Sequence, residues 1–241
     1  MAGPQENRVI TSDDDLRLVL DQLLDPRGDE WWNSFYRDRA KPCPFFVEWP
    51  DEGLIDQATS GYLPKGRALE FGCGNGRNAV FMARQGLDVV AVDFSRQAID
   101  WATERVRAAN VGVELRCESA FETPIEPASF DVIYDSGCFH HLAPHRRVPY
   151  VERVCAALKP GGWFGLVCFR PEGGSGFSDL EVYERRSLGG GLGYSEAALR
   201  EIWGSRLTIR TLRQMRKGDP EAGSFGEDFL WTLWAQSAPG G

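Results

Sequence analysis

The sequence predicts an α/β protein whose core is a doubly wound, mostly parallel sheet of seven strands with helices on both faces. Through the middle of the chain, short apolar runs alternate with segments of helical periodicity, the pattern of consecutive strand–helix–strand units. After the last helix, two alternating segments at 206–215 and 227–236 predict an antiparallel hairpin at one edge of the sheet. With 241 residues, the chain is long enough for one large domain or two small ones.

The composition predicts a cytoplasmic protein that binds neither nucleic acid nor membranes. Its net charge is −8, from 27 basic and 35 acidic residues, and such a surface repels phosphate-bearing partners. The first nine residues lack the apolar core of a secretory signal, and no apolar run approaches the ~20 residues that span a bilayer. The six cysteines form no C-x-x-C pair, so we expect reduced thiols instead of a disulfide framework or a metal site. Three of them lie in or at the ends of predicted strands and are expected to be buried: Cys73, Cys117 and Cys168.

The N-terminal part, residues 1–62, is predicted to be helical and rich in aromatic residues. We expect residues 1–11 to be disordered. A helix should begin after Ser12 and end before Pro26, because acidic residues follow the serine and leucines recur at helical spacing. A second helix is expected at 51–62. Two interpretations of the aromatic cluster between these helices remain open: the rings attach the N-terminal helix to the sheet, or they form a lid over a bound ligand. The cluster consists of Trp31, Trp32, Phe35, Tyr36, Phe45, Phe46 and Trp49.

The strand–helix repeat follows. Strands are predicted at 67–71, 88–93, 113–117, 130–135 and 163–169, and helices at 77–85, after Ser95 and at 146–158, with residues 159–162 as a helix stop. The alternation breaks at the Gly- and Ser-rich insertion 170–195, which contains a possible short helix at 179–187. A last helix is expected between Ser195 and Trp203. The insertion is interpreted either as a movable cover over a substrate or as a passive surface loop.

The most informative stretch is 68–78, where a buried strand ends in an acidic residue and a glycine-rich turn leads into a helix. Glu70 is followed by Gly72, Gly74 and Gly76. These glycines let a ligand lie against the backbone, and the helix directs its free N–H groups and positive dipole end toward the turn. The spacing is G-x-G-x-G rather than the G-x-G-x-x-G of dinucleotide sites, and the carboxylate would repel a pyrophosphate. The same carboxylate would attract a ligand that carries an ammonium or a sulfonium group.

This stretch closely resembles motif I of the class I S-adenosylmethionine-dependent methyltransferases, E/D-x-G-x-G-x-G, which the residues from Glu70 to Gly76 match in full. The resemblance continues in the family's order and spacing from about Arg67 to Phe169. It implies the Rossmann-like fold of that family, with residues 63–241 as the cofactor-binding domain. It also implies S-adenosylmethionine as cofactor, S-adenosylhomocysteine as product, and methyl transfer (EC 2.1.1.-) as the reaction.

The resemblance implies cofactor contacts at the carboxyl ends of the first strands. Glu70 would hold the cofactor's amino group, and the turn, with Cys73 and Asn78, would contact its methionine portion and ribose. Asp93 ends the second strand, where one carboxylate can accept both ribose hydroxyls, and Phe94 can lie against the adenine.

The stretch after the third strand departs from the family's G-D-A-x-x-L-P-F pattern. Ser119 stands where the family's aspartate would bind the adenine amine, and a hydroxyl can accept that hydrogen bond only more weakly. The backbone of Ala120 is therefore a second candidate for the adenine contact.

The segment after the fourth strand, residues 135–142, is expected to meet the methyl acceptor. Methyl transfer needs an aligned acceptor, exclusion of water and, for an O–H or N–H acceptor, removal of a proton. Asp135, His140 and His141 form a compact cluster of proton acceptors and are the candidate catalytic residues, with Asp135 also a candidate cofactor contact. Alternatively, one histidine packs on the cofactor and the other orders the loop. A His–His metal pair would lack a third ligand nearby, so no metal is expected.

The sequence thus predicts a methyltransferase that acts on a small molecule through an O, N or S atom, as a monomer or homodimer. No basic patch or repeat suited to gripping a polymer is present. The alternatives are methylation of a protein or RNA, a NAD-dependent oxidoreductase, and a non-catalytic cofactor-binding protein. The candidate acceptor-binding residues are Trp32, Tyr36, Arg39, His140 and Phe169.

Overall fold

The computed structural model describes residues 9–24 and 28–240, which form a sheet flanked by helices. The strands are β1 (Arg67–Phe71), β2 (Asp88–Asp93), β3 (Val113–Cys117), β4 (Phe130–Ser136), β5 (Leu158–Phe169), β6 (Thr208–Gln214) and β7 (Leu230–Gln236). The helices are α1 (Asp13–Leu23), α2 (Asp29–Arg37), α3 (Glu52–Thr59), α4 (Arg77–Arg84), α5 (Arg96–Ala109), α6 (Pro144–Ala157), α7 (Asp179–Arg185) and α8 (Glu196–Gly204), with a 3₁₀ turn at Phe139–His141.

The sheet has the order β3-β2-β1-β4-β5-β7-β6, which confirms the predicted doubly wound architecture and its edge hairpin. Strands β1 to β5 are parallel, whereas β7 pairs antiparallel with both β5 and β6. The chain starts in the middle of the sheet, runs outward to β3 and returns to β4, so the strand order reverses between β1 and β4. Ligands of open α/β sheets bind beyond the carboxyl ends of the strands at such a reversal. Here Phe71 pairs with Asp135 at that point.

Serine caps explain why several helices begin where the sequence predicts. The Ser12, Ser95 and Ser195 side chains accept backbone N–H groups at 3.1, 3.3 and 3.1 Å. An N-cap hydroxyl satisfies one of the N–H groups that the first helical turn leaves free. These caps fix the starts of α1, α5 and α8.

Several boundaries and one burial prediction differ from the sequence-based expectation. Helix α3 ends at Thr59 instead of residue 62, and α7 ends at Arg185 instead of residue 187. Helix α6 begins at Pro144 because proline is well suited to the first position of a helix. Strand β5 begins at Leu158, which pairs with Phe130, so residues 159–162 continue the strand through an irregular register. Strands β6 and β7 begin later than predicted. Cys117 is half-buried, since β3 is an edge strand.

The two faces of the sheet carry separate apolar cores, supplied by alternate residues of the central strands. Leu69 and Ile133 belong to the core that includes residues of α6 and α8. Ala68 and Tyr134 belong to the other core, which includes residues of α3 and α4. This alternation decides which way each polar residue at a strand end is directed.

The N-terminal helices pack against the sheet domain. The Asn33 side-chain oxygen on α2 accepts hydrogen bonds from the Ser95 hydroxyl (2.9 Å) and the Gln97 backbone N–H (3.2 Å). Helix α1 is joined to α6 by Asp21, which contacts the neighbouring His145 and Arg146. The predictions of disorder at 1–11 and of a helix end at Pro26 fall largely outside the described residues. Within those residues, no helix is both long and apolar enough to cross a membrane.

Candidate active site

The glycine turn lies at the reversal of strand order, directly after β1. Gly72, Gly74 and Gly76 all have positive φ angles, of 64°, 53° and 77°. A Cβ at Gly76 would lie 2.9 Å from Ala102 Cβ and 3.2 Å from Ala102 Cα on α5. Only glycine therefore combines this backbone conformation with this close approach of α4 and α5.

Glu70 is buried beneath the turn, with 1% of its surface exposed. Burial raises the pKa of Glu70 to about 8, although the Arg77 guanidinium and the Asn78 side chain favour its charged form. Its Oε2 atom is shielded from solvent and has no hydrogen-bond partner among the described residues. Leaving such an acceptor unsatisfied costs about 1–3 kcal/mol, so a cationic ligand group beside this oxygen would be stabilised.

A buried polar network beneath the turn holds Arg77 close to Glu70. Asp51 Oδ2 accepts hydrogen bonds from the Tyr134 hydroxyl (2.7 Å) and the Asn78 side-chain amide (3.0 Å). Asp51 Oδ1 lies 2.6 Å from the Arg77 guanidinium. The predicted cofactor residue Asn78 thus donates to the Asp51 carboxylate, and its side-chain oxygen accepts the Asp51 backbone N–H at 3.0 Å. Sequence analysis missed Asp51, Arg77 and Tyr134, because their contacts join distant parts of the chain.

Asp93 ends β2 on the other side of the turn. Its Oδ2 accepts the Gly74 N–H and its Oδ1 accepts the Ser95 N–H, both at 2.9 Å. Burial raises the pKa of Asp93 to about 6, and the two amides oppose this shift. Each oxygen accepts one N–H group here and keeps a further lone pair for a ligand.

Tyr36 brings α2 over the turn. Its side chain is 7% exposed, and a Cβ placed on Gly74 would lie 2.7 Å from its hydroxyl oxygen. The ring stacks against Phe46 at a centroid distance of 5.6 Å. Burial, followed by the charge of Asp93, raises the pKa of Tyr36 well above its usual value. The predicted Tyr36 therefore lies beside the predicted Asp93, and Cys73 is buried in the same region.

The ends of β2 and β3 present a different set of groups. Phe94 is 39% exposed. The Ser119 hydroxyl oxygen already accepts the Phe121 N–H at 3.2 Å, and Ala120 is half-buried beside it. Glu118 Oε2 is shielded from solvent and has no hydrogen-bond partner among the described residues. Sequence analysis did not select Glu118, although an acidic residue directly after a strand of this sheet was a usable signal.

Asp135 is directed to the opposite face and is fully buried. Its Oδ1 accepts the Cys138 N–H (2.8 Å) and its Oδ2 the Phe139 N–H (3.0 Å), and Tyr150 donates its hydroxyl hydrogen to Oδ2 at 2.5 Å. Burial raises the pKa of Asp135 to about 6 against these hydrogen bonds. The carboxylate therefore orders the start of the 3₁₀ turn that carries the two candidate histidines.

His140 is almost completely buried on Phe169, with ring centroids 3.7 Å apart and planes inclined by 17°. The Phe169 backbone N–H donates to His140 Nδ1 at 3.3 Å. Burial, and then the neighbouring His141, lower the pKa of His140 well below its usual value. The ring is therefore neutral at physiological pH.

The other predicted acceptor residues divide into two groups. His141 lies edge-to-face against Trp32 at 4.9 Å and against Phe169 at 6.2 Å, so three predicted residues meet here. Arg39 is instead directed to α5, where it pairs with Glu104 at 2.6 Å and lies over Trp101.

The 170–195 insertion also reaches this region. The Leu192 N–H donates to the His140 carbonyl at 2.7 Å, and the Tyr194 N–H donates to the Phe169 carbonyl at 3.0 Å. A Cβ at Gly191 would lie 3.1 Å from His140 Cδ2. The N-terminal segment thus contacts His141 through Trp32, and the insertion contacts the adjacent His140 and Phe169. Over residues 9–24 and 28–240, no three His, Cys, Asp or Glu side chains group so as to hold a metal ion.

Comparison with known proteins agrees with this geometry. A family model described as a methyltransferase domain matches residues 68–162, which include the glycine turn, Asp93 and both candidate histidines. The matched domain is that of a class I S-adenosylmethionine-dependent methyltransferase. The family prediction is confirmed, and S-adenosylmethionine is the cofactor of this methyltransferase family.

Two curated relatives illustrate the range of the family. The chain is 29% identical over 167 residues to probable thiol methyltransferase 2 of Arabidopsis thaliana, which covers 69% of this chain and 73% of the plant protein. It is 31% identical over 172 residues to the 27-O-demethylrifamycin SV methyltransferase of Amycolatopsis mediterranei, across 69% of this chain and 60% of that enzyme.

Two solved structures share the fold. The first, from work on the conversion of a disulfide bond into a thioacetal group during echinomycin biosynthesis, has a TM-score of 0.68 at 22% identity, covering 88% of this chain and 93% of its own. The second is the 1,6-didemethyltoxoflavin-N1-methyltransferase of Burkholderia thailandensis, with a TM-score of 0.64 at 18% identity, covering 96% of this chain and 93% of that one. At these identities the similarity establishes the fold alone.

Proposed function

We propose that this protein transfers the methyl group of S-adenosylmethionine to a small-molecule acceptor by in-line displacement. The observation that carries the proposal is the pair of buried acids on either side of the glycine turn, of which Glu70 has an unsatisfied oxygen. A buried carboxylate of this kind suits a ligand that carries positive charge. When bound, the cofactor supplies a methyl group on a positively charged sulfur.

The chain's own residues would hold the cofactor along the carboxyl ends of β1 to β3. Glu70 Oε2 would accept a hydrogen bond from the ammonium group, and the free lone pairs of Asp93 would accept the two ribose hydroxyls. Exposed Phe94 would cover one face of the adenine, with Glu118, Ser119 and the Ala120 backbone at its edge.

Two chain segments would exclude water from the acceptor. Trp32 and Tyr36 contact the site from the N-terminal segment, which we propose as a lid spanning residues 1–62. The 170–195 insertion closes the other side through Gly191 and Leu192. A displacement reaction gains most from such positioning, because the leaving group is already good and the acceptor must be aligned.

A small acceptor agrees with the site and with the relatives. The rings of Trp32, His141 and Phe169 form a compact aromatic surface around the end of β4. The rifamycin and toxoflavin enzymes named above are methyltransferases of small molecules by their names.

Calorimetry with S-adenosylhomocysteine tests the cofactor assignment. We expect Asp93→Asn to weaken binding by about tenfold to a hundredfold, since hydrogen bonds to a charged group contribute about 1.5–3 kcal/mol. The matched control is Asp88→Asn on the same strand, whose side chain is 75% exposed and which should bind as the wild type does. Absence of binding by folded wild-type protein would refute the proposed function.

A further inference from the structure

The geometry around His140 determines which of its nitrogens carries the proton. The Phe169 backbone N–H donates to Nδ1 at 3.3 Å, so Nδ1 acts as an acceptor. A neutral imidazole has one donor and one acceptor nitrogen, and the proton must therefore lie on Nε2. If the proton were on Nδ1 instead, the Nδ1–H group and the Phe169 backbone N–H would face each other in a buried position.

The ring is fixed in this orientation from several directions. It stacks on Phe169, and a Cβ at Gly191 would lie 3.1 Å from Cδ2. Its Cε1 and Nε2 edge faces Gly137, where a Cβ would lie 3.5 and 4.0 Å from those atoms. Gly137 directly follows β4, and the next residue, Cys138, lies beside the glycine turn, since a Cβ at Gly72 would lie 2.8 Å from Cys138 Cβ. The Nε2–H group is thus on the side of the ring toward the methyl-donor site.

Two of the three predicted catalytic groups are consequently unsuited to removing a proton. His140 presents a donor, and burial and then the neighbouring His141 lower its pKa. Asp135 accepts hydrogen bonds from Cys138, Phe139 and Tyr150 on the opposite face. An alcohol or an ammonium acceptor requires a base at this place, whereas a nucleophile that is already ionised requires only a hydrogen-bond donor.

We propose that the acceptor is the thiol of a small aromatic molecule, that it reacts as its thiolate, and that His140 Nε2–H donates a hydrogen bond to the sulfur. The proposal rests on the proposed function and deepens it. A cysteine-type thiol ionises at about pH 8.5, about 1.5 pKa units below the phenol of tyrosine, and a thiolate is intrinsically a strong nucleophile. The aromatic surface of Trp32, His141 and Phe169 suits a planar apolar body.

The step balances without a protein base. The thiol proton passes to solvent before the acceptor binds. A C–S bond forms between the thiolate and the methyl carbon, while the bond from that carbon to the sulfonium sulfur breaks and leaves its electron pair on the departing sulfur. The thiolate anion and the sulfonium cation thus give two thioethers, in each of which the sulfur is uncharged.

A chromogenic ligand tests the donor without turnover. Thiophenol, whose thiolate and thiol differ in ultraviolet absorbance and which ionises close to neutral pH, is titrated into protein saturated with S-adenosylhomocysteine at a pH where the free ligand is about half ionised. We expect the bound ligand to be mostly thiolate, and His140→Phe to weaken thiolate binding by about tenfold, with partial recovery in His140→Gln, which keeps an N–H donor. Binding as the neutral thiol, or equal affinity in all three proteins, would overturn the proposal.

Turnover supplies the second test. A series of aryl thiols of increasing acidity should give kcat/KM profiles whose acidic midpoint moves with the pKa of each thiol. A midpoint that stays fixed across the series would indicate a base on the protein, with His141 the first candidate, and would overturn the proposal. So would turnover of matched phenols or anilines with the thiols inert, or cofactor binding with no thiol methylated. By contrast, failure of the folded protein to bind S-adenosylhomocysteine would refute the proposed function itself.

Discussion

The carboxyl ends of β2 and β4 each carry an aspartate at a similar sequence position, but the two aspartates have different hydrogen-bond partners in the fold. Asp93 is the last residue of β2 and Asp135 the penultimate residue of β4; both are buried, and burial raises the pKa of each to about 6. Asp93 accepts one backbone N–H on each oxygen. Asp135 accepts a tyrosine hydroxyl and two backbone N–H groups. Asp93 therefore has lone pairs available for a ligand, whereas the lone pairs of Asp135 are occupied by hydrogen bonds within the protein.

Strand alternation explains this difference. Val92 belongs to the core of α6 and α8, so its neighbour Asp93 is directed to the other face. Tyr134 belongs to the core of α3 and α4, so Asp135 is directed to the face of α6, where Tyr150 donates to it. An acid at a strand end is therefore a ligand group or a structural group according to the register of its strand.

The largest effect expected from this comparison concerns stability. Asp135→Asn places an amide N–H₂ or a weaker acceptor against the donors of Tyr150 and Phe139, at a cost of about 2–3 kcal/mol. For a chain of this length that lowers Tm by about 5–10 °C, measurable by calorimetry. The affinity for S-adenosylhomocysteine should stay within about threefold of wild type.

The control for this prediction is Tyr150→Phe, which removes one donor and should give a smaller loss of Tm. Asp93→Asn should show the converse pattern, with a large loss of affinity and a smaller loss of Tm than Asp135→Asn, because Asp93 accepts two hydrogen bonds and Asp135 three. If Asp135→Asn kept the wild-type Tm but lost cofactor affinity, Asp135 would be the ligand-binding acid and its assigned structural role would be wrong.

A pH-dependent effect of intermediate size is expected at Glu70. With a pKa of about 8 the group is mostly protonated at pH 7, and an ammonium beside it favours the carboxylate. Binding of S-adenosylhomocysteine should then release a proton, and affinity should rise between pH 6 and 8 by up to about tenfold per unit. Calorimetry in buffers of different ionisation enthalpy measures this release. Above pH 7, where Asp93 with its pKa of about 6 is already ionised, Glu70→Gln should abolish the release and exposed Glu114→Gln should leave it unchanged.

The same raised pKa has a consequence for the free protein. Stability from protonated Glu70 is complete below its ordinary value of 4.5 and is lost as the pH rises through about 8. Glu70→Gln should therefore flatten the dependence of Tm on pH in that window. A wild type that releases no proton on binding, together with a flat Tm profile, would contradict the raised pKa.

Local patterns were sufficient to predict the sheet and the turn, and to place Glu70 and Asp93 beside that turn; the cofactor contacts of these two residues stay predictions. These features depend on strand length, glycine spacing and the residue that ends each strand, all of which are visible in a short window. The start of β5 at Leu158 was not visible in this way, because it depends on pairing with Phe130 across the sheet.

The contacts of individual side chains were harder to predict from the sequence for the same reason. The network of Asp51, Arg77 and Tyr134 joins three elements that are distant in sequence. The donor state of His140 depends on the backbone of Phe169, 29 residues later. Neither relation follows from spacing, since each is fixed only when the helices and strands pack.

The smallest predicted effect concerns the end of β3, where two neighbouring residues compete for the adenine amine. Glu118 Oε2 is shielded and has no hydrogen-bond partner among the described residues, whereas the Ser119 hydroxyl oxygen already accepts the Phe121 N–H. We expect Glu118→Gln to weaken binding of S-adenosylhomocysteine by about threefold to tenfold, and Ser119→Ala by less. The decisive measurement compares this ligand with its inosine analogue, which carries a carbonyl in place of the amine. Wild type should prefer the amine, Glu118→Gln should lose most of that preference because its amide can donate as well as accept, and Ser119→Ala should keep it. The reverse pattern would show that Ser119, and not Glu118, contacts the adenine amine. In that case β3, unlike β2, would not be followed or ended by an acidic residue that binds the ligand.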